Sequence, residues 1–134
     1  MNLFTQVTLP PKIITLEPHS NIMFIGSCFA EHVGVQIQQR MGETNCDVNP
    51  FGVLYNPVSI AQGIDILINF SIYKQRITEN IFLGQDNIHH SWLHTSHFSD
   101  TDKEKCLEKI LHRMEQAHNR LLSADVLCIT FGTT

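Results

Sequence analysis

Two side chains that can act as nucleophiles, Ser27 and Cys28, are neighbours in the stretch FIGSCFAEHVG, residues 24–34. An apolar run leads into Gly26, and a helical pattern follows the two residues. Glycine allows a sharp bend of the backbone, and a helix N-terminus offers free N–H groups and a positive end that stabilise a thiolate or an oxyanion. The stretch therefore fits a catalytic nucleophile turn. It also fits a plain strand-to-helix loop with Ser27 or Cys28 as the helix cap, which the local pattern alone favours because no base accompanies the two side chains.

A second group of residues that could do chemistry is rich in histidine. Four histidines fall within nine positions of the chain: His89, His90, His94 and His97. Imidazole is the commonest metal ligand in proteins, so a zinc or iron site is one hypothesis. No hairpin or helix register brings all four rings to one point, and we predict that they do not bind a metal ion together. We interpret them as surface and loop histidines around a partly buried Trp92. The alternative is that the segment contacts substrate at the rim of a site, with His94, His97 and Trp92 as candidates.

The composition is that of one folded domain. The chain has 134 residues, of which 43% are hydrophobic and 16% are charged. This is enough apolar material for a core and too little charge for a disordered chain. The formal net charge of -4 gives no sign of the basic face that binds nucleic acid, and no apolar run approaches the roughly 20 residues of a membrane-spanning helix. We therefore expect a single domain over residues 1–134, with no nucleic-acid partner and no membrane span.

The four cysteines are widely spaced and form no CxxC pair: Cys28, Cys46, Cys106 and Cys128. Such spacing is typical of reduced thiols rather than of a disulfide framework or a zinc knuckle. The N-terminal segment MNLFTQVTLPPK also lacks the basic and apolar regions of a signal peptide. Both features predict a cytoplasmic protein.

Hydrophobic periodicity and cap signals predict the elements that position these residues. Residues 21–26 form a short apolar strand of the kind that is buried on both faces, and a stripe of apolar residues continues as a helix over 29–41. The elements predicted after these are a brief strand and turn in ETNCDVNPFG, a helix over 57–70 with Asn56 as N-cap and Pro57 at its first position, a hairpin around Gly84–Asn87, a helix over 101–123 that opens with a capping box of Thr101 and Glu104, and a strand over 125–131.

The order of these elements predicts an α/β fold with a mainly parallel sheet. Strands 21–26 and 125–131 should lie parallel in one sheet, with helices 29–41 and 101–123 packed on it. In open parallel sheets, ligands bind beyond the carboxyl ends of the strands. Three or four strands are predicted where about five are usual. We therefore expect this sequence to be the N-terminal part of a larger protein, with the sheet incomplete at its C-terminal end.

Four segments of the chain, in order, resemble segments of the GSCFA family: GSCFA (26–30), NPFGVLYNPVSIA (49–61), SWLHTSHFS (91–99) and ITFGTT (129–134). The resemblance covers most of residues 20–134. That family is grouped by similarity with the SGNH, or GDSL-like, hydrolases. The resemblance implies a flavodoxin-like three-layer α/β/α sandwich and action on esters of lipids or carbohydrates.

The resemblance also implies roles for individual residues. The first SGNH block, Gly-Asp-Ser, falls on Gly26-Ser27-Cys28 and puts Cys28 at the nucleophile position and Ser27 at the aspartate position. The glycine of the second block, which supplies an N–H to the oxyanion hole, resembles Gly52. The third block, Gly-x-Asn-Asp, puts Thr134 where the asparagine donor would stand. The last block, Asp-x-x-His, would supply the base and is expected beyond residue 134, so this chain is expected to be a weak enzyme or none.

Three functions are compatible with the sequence. The first is an SGNH-like hydrolase that acts on an ester or acyl group of a small molecule, lipid or glycan without a cofactor, with Cys28 favoured over Ser27 as the group that faces the pocket. The second is a non-catalytic ligand-binding domain on the same fold. The third is a His-rich metal-binding protein.

Overall fold

A computed structural model of the chain describes residues 8, 11, 15–42 and 44–132. The elements in chain order are β1 (Ile22–Gly26), α1 (Cys28–Met41), β2 (Cys46–Val48), α2 (Pro57–Ile68), α3 (Phe70–Glu79), β3 (Ile81–Leu83), β4 (His89–Ser91), α4 (Lys103–Leu122) and β5 (Val126–Thr130). One turn of 3-10 helix, Ser96–Phe98, lies between β4 and α4. None of the helices in the described ranges is long and apolar enough to cross a bilayer.

Three strands form a parallel sheet in the order β2-β1-β5. The central strand β1 has the sequence IMFIG and is buried along its whole length, as expected for a strand covered on both faces. Its register places Phe24 opposite Val48 of β2 and Gly26 opposite Thr130 of β5. The prediction that strands 21–26 and 125–131 are parallel neighbours is therefore confirmed.

Side chains of β1 alternate between the two faces of the sheet. Both faces therefore carry apolar side chains, and helices cover both. Met23 and Ile25 point into a core built with α2, α3 and α4, whereas Ile22 and Phe24 pack against α1. Helix α4 presents buried residues at helical spacing to the first core: Cys106, Ile110, Met114 and Ala117. The predicted α/β fold with a mainly parallel sheet is confirmed, in a three-layer α/β/α arrangement.

The single helix predicted over 57–70 is wrong, because two helices, α2 and α3, run from Pro57 to Glu79 with a break at Asn69. The backbone N–H of Asn69 still donates to the Asp65 carbonyl (2.9 Å), and its side-chain amide donates to the Asp65 carboxylate (2.8 Å). The carbonyl of Asn69 in turn accepts from Tyr73 (3.1 Å) at the start of α3. One polar residue thus ends one helix and begins the next.

The cap signals give one confirmation and one correction. Asn56 caps α2 as predicted, since its side-chain oxygen accepts from the Val58 N–H (2.7 Å). Helix α4 begins two residues later than predicted, because Asp102, and not Thr101, is its N-cap and accepts from the Lys105 N–H (3.2 Å). The predicted hairpin is confirmed, with β3 and β4 paired antiparallel.

Side chains close the outer edge of β2. The carbonyl oxygen of Cys46 accepts from Gln38 Nε2 (2.9 Å), and that of Val48 accepts from the Arg113 guanidinium (3.3 Å). The same guanidinium pairs with the Asp47 carboxylate through two bonds, one of them 3.0 Å long. Residues from α1 and α4 thus occupy acceptors that an open edge would present to another strand.

Candidate active site at the carboxyl edge of the sheet

The carboxyl ends of all three parallel strands meet beside Gly26. The Gly26 N–H donates to the Asn49 side chain (2.8 Å), and the Gly26 carbonyl accepts from the Leu54 N–H (2.8 Å). Gly26 has a φ of 144°, and a Cβ at this position would lie 2.0 Å from the Thr130 carbonyl oxygen. Only glycine fits, so β5 and the loop after β2 both depend on the residue that opens the turn.

Ser27 faces the interior of this edge. Its side chain and backbone are 5% exposed, and its Oγ lies 2.8 Å from Thr130 Oγ1. The Ser27 N–H donates to Thr130 Oγ1 (3.0 Å) and to the Thr130 carbonyl (3.2 Å). Ser27 is the N-cap of α1 by position, but its hydroxyl makes no cap bond to the helix. The hydroxyl is therefore tied to β5.

Cys28 is the first residue of α1 and is exposed. The first N–H groups of a helix have no acceptor within the helix, and those of Cys28, Phe29 and Ala30 have none elsewhere among the described residues. The thiol therefore stands beside free backbone donors at the positive end of a helix dipole.

The other three thiols are less accessible and less acidic than an ordinary cysteine. Burial is the main cause that raises the pKa of Cys46, to about 11. Burial also raises the pKa of Cys106 and of Cys128. Since the thiolate is the reactive form, Cys28 is the thiol best placed to react.

Tyr55 is a site residue that the sequence reasoning missed. The nearby Cys28 side chain is the main cause that raises the pKa of the Tyr55 phenol. Gly132 packs on the ring of Tyr55, and its N–H donates to the Tyr55 carbonyl (3.1 Å). The available signal was position: Tyr55 directly precedes the N-cap Asn56 in the segment NPFGVLYNP.

A cavity of about 500 Å³ lies along one side of α1. Its lining includes Glu31, Asn49, Gly52, Thr95 and His97. Glu31 stands three residues after Cys28, which places the two side chains on the same side of the helix. Neither Ser27 nor Cys28 lines this cavity, which begins one helical turn beyond Cys28 at Glu31.

Gly52 shapes this cavity, but its N–H is already used. It donates to the Asn49 carbonyl (2.8 Å) and closes a tight turn. The oxyanion role that the resemblance assigns to this N–H is therefore not available in the observed conformation. Gly52 has a φ of 87°, and a Cβ there would lie 2.3 Å from the Thr95 side chain.

Asn49 carries two unusual features. Its backbone is in the left-handed region, with a φ of 42°. Its side chain is buried, and the Nδ2 donor has no hydrogen-bond partner among the described residues. Because the Gly26 N–H must meet an acceptor, the orientation of this amide is fixed.

The histidine segment is divided between the core and the cavity. His97 lines the cavity, whereas His94 packs between Phe51 and Phe98, with ring centroids 5.2 and 5.1 Å away. Burial lowers the pKa of His94 to about 4. Its Nδ1 lies 2.9 Å from the Ser91 hydroxyl.

The prediction that Trp92 is partly buried is wrong. It is 75% exposed and stacks on Phe82 of the hairpin, with ring centroids 4.3 Å apart. Exposure follows from the two-stranded hairpin, which has a free face at this position. Trp92 does not line the cavity that His97 enters.

Two further site predictions concern metal and Thr134. In the part of the chain that the structure describes, no group of three or more His, Cys, Asp or Glu side chains is arranged to hold a metal ion. His90 bonds instead to Ser99 (2.9 Å) and to Asp86 (3.2 Å). Thr134 lies outside the described residues.

Comparison with known proteins gives a family and no closer relative. The chain matches the family model of the GSCFA family over residues 21–134. No curated protein and no solved structure matches the chain. The family match spans every helix and strand described above.

Proposed function

Since the chain belongs to the GSCFA family, we propose that the segments that resemble this family build a hydrolase site for an ester or acyl group of a lipid or carbohydrate. The observation that carries the proposal is the placement of Cys28. It is exposed at the N-terminus of α1, beyond the carboxyl edge of a parallel sheet, where open α/β folds bind their ligands.

The chemistry divides hydrolysis into two steps. The Cys28 sulfur attacks the carbonyl carbon of the substrate, a C–S bond forms, the C–O bond to the alcohol breaks, and the proton of the thiol leaves with the alcohol. The free N–H groups of Cys28 and Phe29 hold the negative oxygen of the tetrahedral intermediate. Water then attacks the thioester, releases the acid and restores the thiol.

Hydrolysis of the thioester also requires a base. No histidine in the described ranges is hydrogen-bonded to Cys28. His97 is the histidine of the adjacent cavity and shares it with Glu31, so we take His97 as the group that accepts the proton of the attacking water. A base that is not in contact with the nucleophile gives slow turnover, and we expect hydrolysis only slightly above background.

The experiment is turnover of p-nitrophenyl acetate by the 134-residue chain and its variants. We expect weak hydrolysis that is lost in Cys28→Ala and retained in the matched thiol control Cys128→Ala. His97→Ala should slow deacylation, so that release of p-nitrophenol stops after one equivalent. Activity that survives Cys28→Ala and is lost in Ser27→Ala would transfer the nucleophile role to Ser27.

A second candidate function, ligand binding without hydrolysis, is supported by one observation. Two of the N–H groups expected at an oxyanion hole are engaged: that of Gly52 with Asn49, and that of Ser27 with Thr130. A chain that binds an acylated glycan or lipid in calorimetry but neither hydrolyses p-nitrophenyl acetate nor forms an acyl-Cys28 adduct, tested by mass spectrometry, has this second function.

A further inference from the structure

Asn49 lines the cavity described above, and one of its hydrogen-bonding groups is left over. Its backbone N–H donates to the Phe24 carbonyl (2.8 Å), and its carbonyl accepts from the Gly52 N–H (2.8 Å). Its side-chain oxygen accepts from the Gly26 N–H (2.8 Å). The residue is 9% exposed, and its Nδ2 has no partner among the described residues.

The buried NH2 group is not required by the turn that Asn49 builds. A φ of 42° is open to asparagine and to aspartate, and both side chains carry an oxygen that accepts from the Gly26 N–H. A buried donor without an acceptor lowers stability, and native proteins keep few of them. A hydrogen bond from this NH2 group to a ligand supplies the missing acceptor.

The walls of the cavity combine hydrogen-bonding and apolar surfaces. Glu31 and Thr95 bring a carboxylate and a hydroxyl and are exposed at its rim, whereas Asn49 is buried. The lining also contains apolar side chains: Val35, Val48 and Phe98. The volume of about 500 Å³ is within the range of small-molecule sites.

The charges of the lining select among ligand classes. Asp47 and Arg113 line the cavity but pair with each other, so Glu31 is left as a carboxylate without a salt-bridge partner among the described residues. An anionic ligand would meet the Glu31 charge, and an alkyl chain would offer no acceptor to Asn49. A sugar avoids both problems, because its hydroxyl groups accept as well as donate and its C–H faces pack on apolar side chains.

We propose that this cavity binds a neutral sugar, and that an oxygen of the sugar accepts a hydrogen bond from Asn49 Nδ2. This atom is covered in the free chain, so a lining side chain changes its rotamer on binding, as is common. The cavity begins at Glu31, about 4.5 Å along the helix axis from Cys28. The proposal rests on the proposed function in one respect only, which is that the sugar is the carbohydrate part of the ester.

The first test is NMR titration of the 15N-labelled chain with glucose, galactose, mannose and N-acetylglucosamine in turn. We expect at least one of these sugars to move the side-chain NH2 signals of Asn49 and the backbone signal of Gly52 until they saturate. The side-chain signals of Asn87, which is exposed in the hairpin turn, should stay in place. No saturable shift at Asn49 with any of the four sugars overturns the proposal.

Octanoate and inorganic phosphate represent the two disfavoured ligand classes in the same titration. Neither should move the signals of Asn49, because the first offers only an alkyl chain and a carboxylate and the second is an anion. A saturable shift with octanoate or phosphate and none with the sugars would assign the cavity to an acyl chain or an anion, and would overturn the proposal.

The second test is the variant Asn49→Asp, which keeps the acceptor for the Gly26 N–H and removes the NH2 group. We expect its affinity for the sugar that binds to fall by about three- to tenfold, through the loss of one hydrogen bond. Asn87→Asp is the matched control, because Asn87 also has a positive φ, of 59°, and it should bind as the original chain does. Unchanged affinity in folded Asn49→Asp overturns the proposal, and the titration of the original chain decides if that variant does not fold.

Neither test needs ester turnover. Sugar binding at Asn49 in a chain that hydrolyses no ester would overturn the proposed hydrolase and retain the sugar site. Hydrolysis of p-nitrophenyl acetate through Cys28 without sugar binding would retain the hydrolase and overturn the sugar site.

Discussion

The hydroxyl groups of Ser27 and Thr130 lie 2.8 Å apart, although 103 residues separate them in the chain. This bond joins the turn after β1 to the last residue of β5, its neighbour in the sheet. It also explains why the two adjacent candidate nucleophiles differ. Ser27 is held against β5, and Cys28, the next residue, is left exposed on the helix.

Removing the Thr130 hydroxyl should destabilise the fold without affecting Cys28. Thr130→Val keeps the side-chain shape but leaves the buried Ser27 hydroxyl without its partner, which costs about 1–2 kcal/mol in the free energy of unfolding. Thr130→Ser retains the hydroxyl and serves as the control with little loss. Urea unfolding measures both. A slower alkylation of Cys28 by iodoacetamide in folded Thr130→Val would mean that Thr130 acts on the nucleophile directly.

Gly52→Ala should destabilise the chain by more than a left-handed backbone alone explains. The φ of 87° disfavours any Cβ by about 1–2 kcal/mol, and the new methyl would also collide with Thr95. Gly42→Ala is a matched control, because Gly42 has a φ of 89° but its nearest heavy atom would be 3.7 Å away. Thermal unfolding should show a clearly larger loss for Gly52→Ala. Equal losses would show that Thr95 moves aside freely.

The buried imidazole of His94 should make the chain less stable in mild acid. Its pKa in the fold is lowered to about 4 from a usual value of 6.5, because burial disfavours the charged ring. Between these values the unfolded chain binds the proton and the folded chain does not, so stability is complete above about pH 6.5 and falls as the pH drops toward 4. The loss attributable to His94 is on the order of 3 kcal/mol.

Comparison of variants isolates this contribution from that of the carboxylates. Urea unfolding at several pH values should show a weaker acid dependence in His94→Gln than in the original chain. His112→Gln is the control, since His112 is exposed on α4 and its loss should not change the dependence. An identical pH profile in His94→Gln would mean that the ring is charged within the fold.

The Asp47–Arg113 pair should contribute more to stability than the Asp100–Lys109 pair. The side chain of Asp47 is 10% exposed and that of Arg113 is 25% exposed, whereas Lys109 is 48% exposed. Arg113→Met leaves a nearly buried carboxylate without its partner, at a cost of about 3 kcal/mol. Lys109→Met removes a solvent-screened contact worth less than about 1 kcal/mol. Chemical denaturation of the two variants compares them, and equal losses would contradict the difference in burial.

Local signals were sufficient for part of the fold. An unbroken apolar run predicts a strand covered on both faces, and β1 is such a strand. Asn56 before Pro57 predicts a helix start, and the Asn56 side chain caps α2. These predictions succeeded because a cap or a doubly buried strand is determined by residues within a few positions of one another.

Signals that depend on competition between neighbours failed. Asp102 and Thr101 can both cap a helix, and the sequence does not decide which of them is the N-cap. The break at Asn69 lies inside an apolar stripe that continues through it, so periodicity alone predicts one helix. Trp92 is apolar and large, but its burial depends on whether another element covers the hairpin.

The sequence by itself determined the parallel α/β order, the family and the presence of two candidate nucleophiles at a glycine turn. Only the tertiary structure decided which of the two is exposed, because the choice depends on Thr130, which pairs with Ser27 across the sheet. It also decided that Leu54 and Tyr55 lie at this turn, since the Leu54 N–H donates to the Gly26 carbonyl and the Tyr55 carbonyl accepts from the Gly132 N–H. Contacts between residues far apart in the chain leave no periodic or local signal, so they become readable only when the strands are side by side.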